Sequence, residues 1–342
     1  MNKSKQHLNS ITILRFVAAL YVFLFHANMR IALDMPSYIS NIINNGAIGM
    51  SLFFVLSGFI LTYNYDYDVG QNYFIKRIKI IYPAYIFCGV ITLPILMAST
   101  DLSIHSLTKT FTTIALYITA TQSWFYPSFS SWQFGGTWSI STEMFFYALF
   151  PILLKIANSK NLHFMAIIAF IATASIIPVS LVYTDGLMFT VYYATPIYRL
   201  PEFVMGIAAA KYMKLGFKVG HAPAIFIVIA IAYIASITNI GYMQYNFILV
   251  PLICLLLIYL SSHQPPRALF PLVHLGNISY SFYLMQVAGF MIFDHFHPAV
   301  IYKAGFVGWV TLFIIFNVMA QISYSLFEKR NLFEKLKSSF IK

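Results

Sequence analysis

"LRFVAALYVFLFH", Leu14 to His26, decides how the chain is read. All but two of its residues suit the interior of a bilayer, and the exceptions are Arg15 and His26. An ionisable group at membrane depth is costly, so each is a candidate functional residue before it is a structural one. The two are eleven residues apart, almost three full helical turns, and therefore share one helix face. Their separation along the axis is roughly 16 Å, about half the hydrocarbon core. Arg15 alone could snorkel to headgroups, and His26 alone could bridge to a neighbouring helix. Two such groups on one face, at complementary depths, favour function.

Working outward, the 342 residues are 60% hydrophobic and only 9% charged, with a mean hydropathy of +0.76. Soluble domains carry about 25% charged residues, so an ordinary globular protein is excluded. Apolar runs near the length needed to cross a membrane recur at about 10–30, 46–64, 80–98, 139–157, 163–183, 191–212, 222–239, 245–262, 273–293 and 303–327. The expectation is an all-α polytopic membrane protein of about ten transmembrane helices in one domain, 1–342, with a basic tail at 328–342. The first run lacks a small-residue cleavage site and is read as a retained helix. The stretch 107–120, "LTKTFTTIALYITA", is too short and polar for a span and is read as an interfacial or re-entrant helix. Cys88 and Cys254 lie in separate apolar runs, and no Cys/His cluster stands at ligand spacing, so neither a disulfide nor a metal site is expected.

The net charge of +11 is explained by topology. If the N-terminus is cytoplasmic, 16 of the 21 Lys and Arg residues fall on the cytoplasmic side, as the positive-inside rule requires. Both termini are then cytoplasmic, and nucleic acid is set aside as a partner. The same topology puts 99–138 outside as the longest loop. Its "SWFYPSFSSWQFGGTW" suits either an interfacial aromatic belt or a carbohydrate platform.

Other charges lie within expected spans. Glu143, in "WSISTE", is expected at the same depth as His26, where a carboxylate beside an imidazole can orient a general base. Arg199 and Glu202, in "RLPEFVMG", are three apart on one face and read as an ion pair, with Arg199 also a candidate substrate contact.

These motifs, in order, resemble the acyltransferase type 3 family of integral-membrane O-acyltransferases, which modify bacterial surface glycans and other acceptors. Arg-x10-His is present as Arg15 and His26. "SLFFVLSGFILT" (with Ser57), "FIKRIKIIYPAY" (with Arg77 and Lys79), "WSISTE" and "LGNISYSFYLMQ" are similar to its later elements. "EKR" at 328–330 stands where the family often has Glu-Lys-Pro. The chain departs from the pattern at Ile80, where an arginine is usual and Lys79 stands alongside. It departs again at Gln286, where histidine is frequent and to which no role is carried over.

The resemblance implies acyl-CoA as donor, acetyl-CoA first among them, used as a substrate with no permanently bound cofactor. The acceptor implied is a hydroxyl of an extracytoplasmic sugar or lipid-linked glycan, such as O-antigen, capsule or exopolysaccharide, at the bacterial inner membrane. Arg15, Arg77 and Lys79 would hold the donor's phosphates. His26 would take the hydroxyl proton, with Glu143 fixing its tautomer. Trp138, Ser139, Ser57 and Arg199 would contact substrate or the oxyanion. No Ser or Cys stands out as a nucleophile, so direct transfer is expected. With no appended soluble domain, the membrane domain is expected to complete the transfer itself. The alternative from another class is a transporter or flippase of a lipid-linked glycan.

Overall fold

The computed structural model describes residues 8–66, 68–158, 160–175, 191–237, 242–296 and 299–329. These are helical, with no strand among the described residues. In chain order the helices are α1 (Asn9–Asn28), α2 (Ser37–Asn44), α3 (Ile48–Asn64), α4 (Tyr73–Ala98), α5 (Ile104–Thr119), α6 (Phe134–Ile156) and α7 (Leu162–Ala174). They continue as α8 (Pro196–Lys214), α9 (His221–Ile237), α10 (Asn246–Ser261), α11 (Phe270–Asn277), α12 (Ser279–Phe296), α13 (Ala299–Lys303) and α14 (Phe306–Ser323). The last helix runs on into a π turn, Tyr324–Glu328.

The helices are apolar on nearly every side, so large hydrophobics are exposed as well as buried; Val90, Phe111, Phe164, Phe226 and Val310 all face outward. That is the signature of a bundle whose solvent is lipid. Prolines sit inside α4, α6, α8 and α10, which membrane helices tolerate because neighbours re-satisfy the freed carbonyls. With no hydrophobic drive between helices in lipid, close backbone approach supplies the cohesion. The α3–α8 crossing shows it. A Cβ at Gly58 would collide with the Phe203 carbonyl, and one at Gly206 with the Val55 carbonyl.

Among the described residues, four helices are long and apolar enough to cross a membrane: α1, α4, α6 and α14 with its π turn. The pair α2–α3, bent by 43°, also qualifies when taken as one span. Helices α7, α9 and α10 are apolar but shorter. The expected fifth span runs into 176–190, outside the described residues, as does the tail from 330. The expected ninth span is instead two helices, α11 and α12, meeting at Ile278. Polar residues at the break explain it, because Asn277, Ser279 and Tyr280 face a cavity. The 107–120 stretch forms most of α5, which is capped by Ser103, whose hydroxyl accepts from the Ser106 amide at 3.2 Å. One face of α5, with Thr110, Thr113 and Tyr117, is buried.

Candidate active site

Helix α1 presents its two ionisable residues to two different cavities. Near its start, Arg15 lines a cavity of about 310 Å³ together with Ser57 of α3, Arg77 of α4, Ser139, Glu143 and Tyr147 of α6, and Glu328 of the π turn. Near its end, His26 lines a second, of about 480 Å³, with Arg30, Gln133, Trp132 and Asp294. The cavities share no lining residue. Tyr283 of α12 stands between them, accepting from Ser139 Oγ at 3.0 Å and donating to the Gly136 carbonyl.

In the Arg15 cavity, Ser57 Oγ donates to Tyr147 Oη (3.3 Å), and Tyr147 donates to Glu143 Oε2 (3.0 Å). Tyr147 lies one helical turn beyond Glu143, so the spacing i, i+4 makes this bond possible. Arg15 and Arg77 both act on Glu143 electrostatically, and Arg15 also on Glu328. Among the described residues neither arginine is in ion-pair contact with a carboxylate. Arg77 lies over the rings of Tyr73 and Tyr147, at 5.4 and 5.9 Å. Glu328 accepts from Ser281 Oγ at 2.5 Å.

In the His26 cavity, Arg30 forks onto Asp294, with Nε to Oδ1 at 2.8 Å and Nη2 to Oδ2 at 2.6 Å, while its plane covers Phe290 at 4.4 Å. The His26 ring packs edge-on against Phe290 and lies in the field of both Arg30 and Asp294.

Several expectations are corrected here. Glu143 does not pair with His26; it accepts from Tyr147 and lies in the field of the two arginines. Helix α6 starts at Phe134 rather than at 139, which puts Glu143 nine residues inside its end, while His26 is two residues from the end of α1. The two line different cavities. Lys79 is exposed and stands outside both cavity walls, whereas Arg77 is on one. Trp138 is 2% exposed and packed in the core against Phe54 and Tyr193, and it lines neither large cavity. Arg199 is wholly buried, bonded to Glu202 (3.2 Å) and Ser51 (3.0 Å), with Phe54, Trp138 and Tyr193 around its guanidinium. The pair lies inside the fold and on neither large cavity wall. Ser57 and Ser139 do reach the cavity that holds Arg15 and Arg77.

Sequence reasoning missed Tyr147, Arg30, Asp294 and Tyr283. Two of them carried a signal: Tyr147 at four residues from Glu143, and Arg30 at four residues from His26 on the same face. Asp294 joins Arg30 across 264 positions, and no local pattern finds such a pair.

Among the described residues, one helix thus presents an arginine to one cavity and an imidazole to another. The family model described as an acyltransferase domain matches residues 8–327, and the chain belongs to that acyltransferase type 3 family. It is 26% identical to the acyltransferase MdmB of Streptomyces mycarofaciens over 317 residues, 85% of this chain and 80% of that protein. It is 30% identical to an uncharacterised protein of Haemophilus influenzae over 53% of this chain and 82% of the relative. Nodulation protein 10 of Rhizobium leguminosarum bv. viciae is 27% identical over 45% of this chain and 46% of its own length. No solved structure matches it. The protein is thus a membrane acyltransferase; a transporter is not the class that its family defines.

Proposed function

We propose that this acyltransferase takes an acyl group, acetyl in the simplest case, from acyl-CoA and places it on a sugar hydroxyl across the membrane. The donor enters from the cytoplasm at the Arg15 cavity, and the acceptor occupies the His26 cavity on the outer side of the bacterial inner membrane. In this reading both termini are cytoplasmic and the chain crosses about ten times.

What carries the reading is that Arg15 and His26 open into two separate cavities along one face of α1. Arg15 and Arg77 are suited to the donor's phosphates, since guanidinium forks match phosphate oxygens. The extended pantetheine arm is on the order of the Arg15–His26 separation, roughly 16 Å, so an anchored thioester reaches the imidazole. His26 takes the proton from the attacking hydroxyl as its oxygen bonds to the thioester carbonyl carbon. Collapse of the tetrahedral intermediate breaks the C–S bond. The thiolate leaves and receives that proton from the imidazolium, giving ester and free CoA. Asp294, rather than Glu143, is the carboxylate whose field reaches His26, where it offsets part of the opposing field of Arg30. Ser139 and Tyr283 stand between the cavities, and either hydroxyl would meet the oxyanion only by turning from the partner to which it now donates.

The test is mass spectrometry of the host's surface polysaccharide with and without the intact gene. An acyl increment that disappears with the gene and returns on complementation supports the reading. Unchanged glycans together with no acyl-CoA turnover by the purified chain would overturn it.

A further inference from the structure

The stretch "LGNISYSFYLMQ", 275–286, breaks a helix in two, and the break faces the Arg15 cavity. The backbone ladder of α11 ends where the Ile278 amide donates to the His274 carbonyl, and that of α12 begins where the Phe282 amide donates to the Ile278 carbonyl. The amides of Ser279, Tyr280 and Ser281 lie between those two bonds and are helix-start donors with no carbonyl one turn back. Gly276 lets this corner press on α1 beside Arg15, since a Cβ there would collide with the Thr12 carbonyl. Asn277, Ser279 and Tyr280 line the same cavity as Arg15 and Arg77. One anion already sits at the helix start: Glu328 accepts from the Ser281 hydroxyl and lies against its amide. Ser279 is the group left over. It is 1% exposed, it faces the cavity, and its hydroxyl has no partner among the described residues. A buried hydroxyl left unpaired costs stability that an alanine would spare, so it marks a place where a ligand supplies the missing bond.

We propose that the start of α12, with the Ser279 hydroxyl, is a phosphate subsite that takes the 4′-phosphate of the donor, the half of the diphosphate from which the pantetheine arm leaves. This rests on the acyl-transfer reading above for its purpose, and it adds a binding residue and the phosphate that residue takes. A helix N-terminus offers amide donors and the positive end of a dipole, a combination that suits phosphate. Arg15 and Arg77 stand on the same cavity wall to share the charge. The choice among the donor's phosphates comes from the course of α12. That helix carries Ser279 and Tyr283 on the first cavity and Val287, Phe290 and Asp294 on the second. From Ser279 to Val287 is eight residues, about 12 Å along the axis. An arm that leaves the helix start therefore runs beside α12 toward the His26 cavity, and the nucleotide stays behind on the side of Arg77.

The test is isothermal titration calorimetry on the full chain in nanodiscs, with 4′-phosphopantetheine and pantetheine as probes. The two differ only in the phosphate. In the parent, 4′-phosphopantetheine should bind at least about tenfold more tightly than pantetheine, the worth of charge-assisted phosphate contacts. Ser279→Ala should remove about fivefold or more of that preference, with Tm unchanged or raised because an unpaired hydroxyl is lost. Ser279→Asp, a favoured helix-start residue, keeps the fold but puts a carboxylate where the phosphate would sit, and should abolish the preference. Pantetheine should bind all three proteins alike. A preference unchanged in both variants, or no preference in the parent, would overturn the proposal. Displacement of 4′-phosphopantetheine by short-chain phosphatidic acid would overturn it too, by giving the site to a lipid headgroup. Acetyl-CoA turnover by the same proteins separates this proposal from the reading it rests on. Binding of 4′-phosphopantetheine that depends on Ser279, with no acyl transfer from acetyl-CoA, would sink the transfer reading and leave the subsite standing. Acyl transfer with an acetyl-CoA KM indifferent to Ser279→Asp would do the reverse.

Discussion

Replacing Arg199 by Met tests whether that arginine belongs to the fold or to the substrate. The guanidinium is 0% exposed, 3.2 Å from Glu202 and 3.0 Å from Ser51 Oγ. Its loss leaves Glu202, 1% exposed, as a buried carboxylate that still accepts from Asn246 Nδ2 at 2.7 Å and from Ser51 Oγ at 3.3 Å. Breaking one side of such a pair costs about 3–5 kcal/mol, a large part of a typical folding free energy of about 5–15 kcal/mol. In the double variant Arg199→Met with Glu202→Gln, both charges go together, and the Gln oxygen still serves Asn246 and Ser51. The double variant should therefore recover to within about 1–2 kcal/mol of the parent. Unfolding by SDS titration, followed by tryptophan fluorescence, reports on this site because the indole of Trp138 is 5.8 Å from the guanidinium. Acyl transfer per folded molecule should be near normal in the double variant. A double variant as unstable as the single would refute the electrostatic reasoning. A stable double variant that has lost transfer 100-fold would make Arg199 a substrate contact after all.

Arg77→Ala should raise the acyl-CoA KM about tenfold or more, the loss of one charge-assisted phosphate contact, while Lys79→Ala leaves it unchanged; equal effects in steady-state kinetics would put Lys79 at the donor too. Glu143→Gln keeps an acceptor for Tyr147 but removes the negative charge near Arg15 and Arg77. Donor binding at low salt should tighten by about three- to tenfold, an effect of order 1 kcal/mol for a screened charge at cavity depth. A 100-fold fall in kcat with unchanged donor affinity would return Glu143 to the proton-transfer step. Gly206→Leu should destabilise by about 3 kcal/mol or more, because its side chain meets the Val55 backbone rather than a movable side chain; folded protein of normal yield and thermal stability would contradict the close α3–α8 crossing.

The shared face of Arg15 and His26 was legible because helical periodicity within one segment fixes it. So were most helix positions, since an apolar run announces itself whatever it packs against. The division into two cavities was not. It depends on where α6 begins, and the five residues Phe134 to Trp138 read as loop because glycines and aromatics carry no helical signal. That shift moved Glu143 away from His26. Lys79 and Arg77 are two residues apart and so point to different sides of α4, a distinction visible once the helix is placed. The break at Ile278 hid inside an apolar stretch whose polar residues turn toward a cavity.

The central claim is that one helix face divides the labour, with donor held at Arg15 and proton taken at His26. The direct measurement pairs acyl-CoA affinity with transfer rate on purified Arg15→Ala and His26→Ala proteins in nanodiscs. Arg15→Ala should bind acyl-CoA about tenfold or more weakly, and transfer should partly recover at high donor concentration. His26→Ala should bind donor nearly as the parent does and transfer nothing at any concentration. A His26→Ala protein that binds donor as poorly as Arg15→Ala, or one that transfers at the normal rate, would contradict the account.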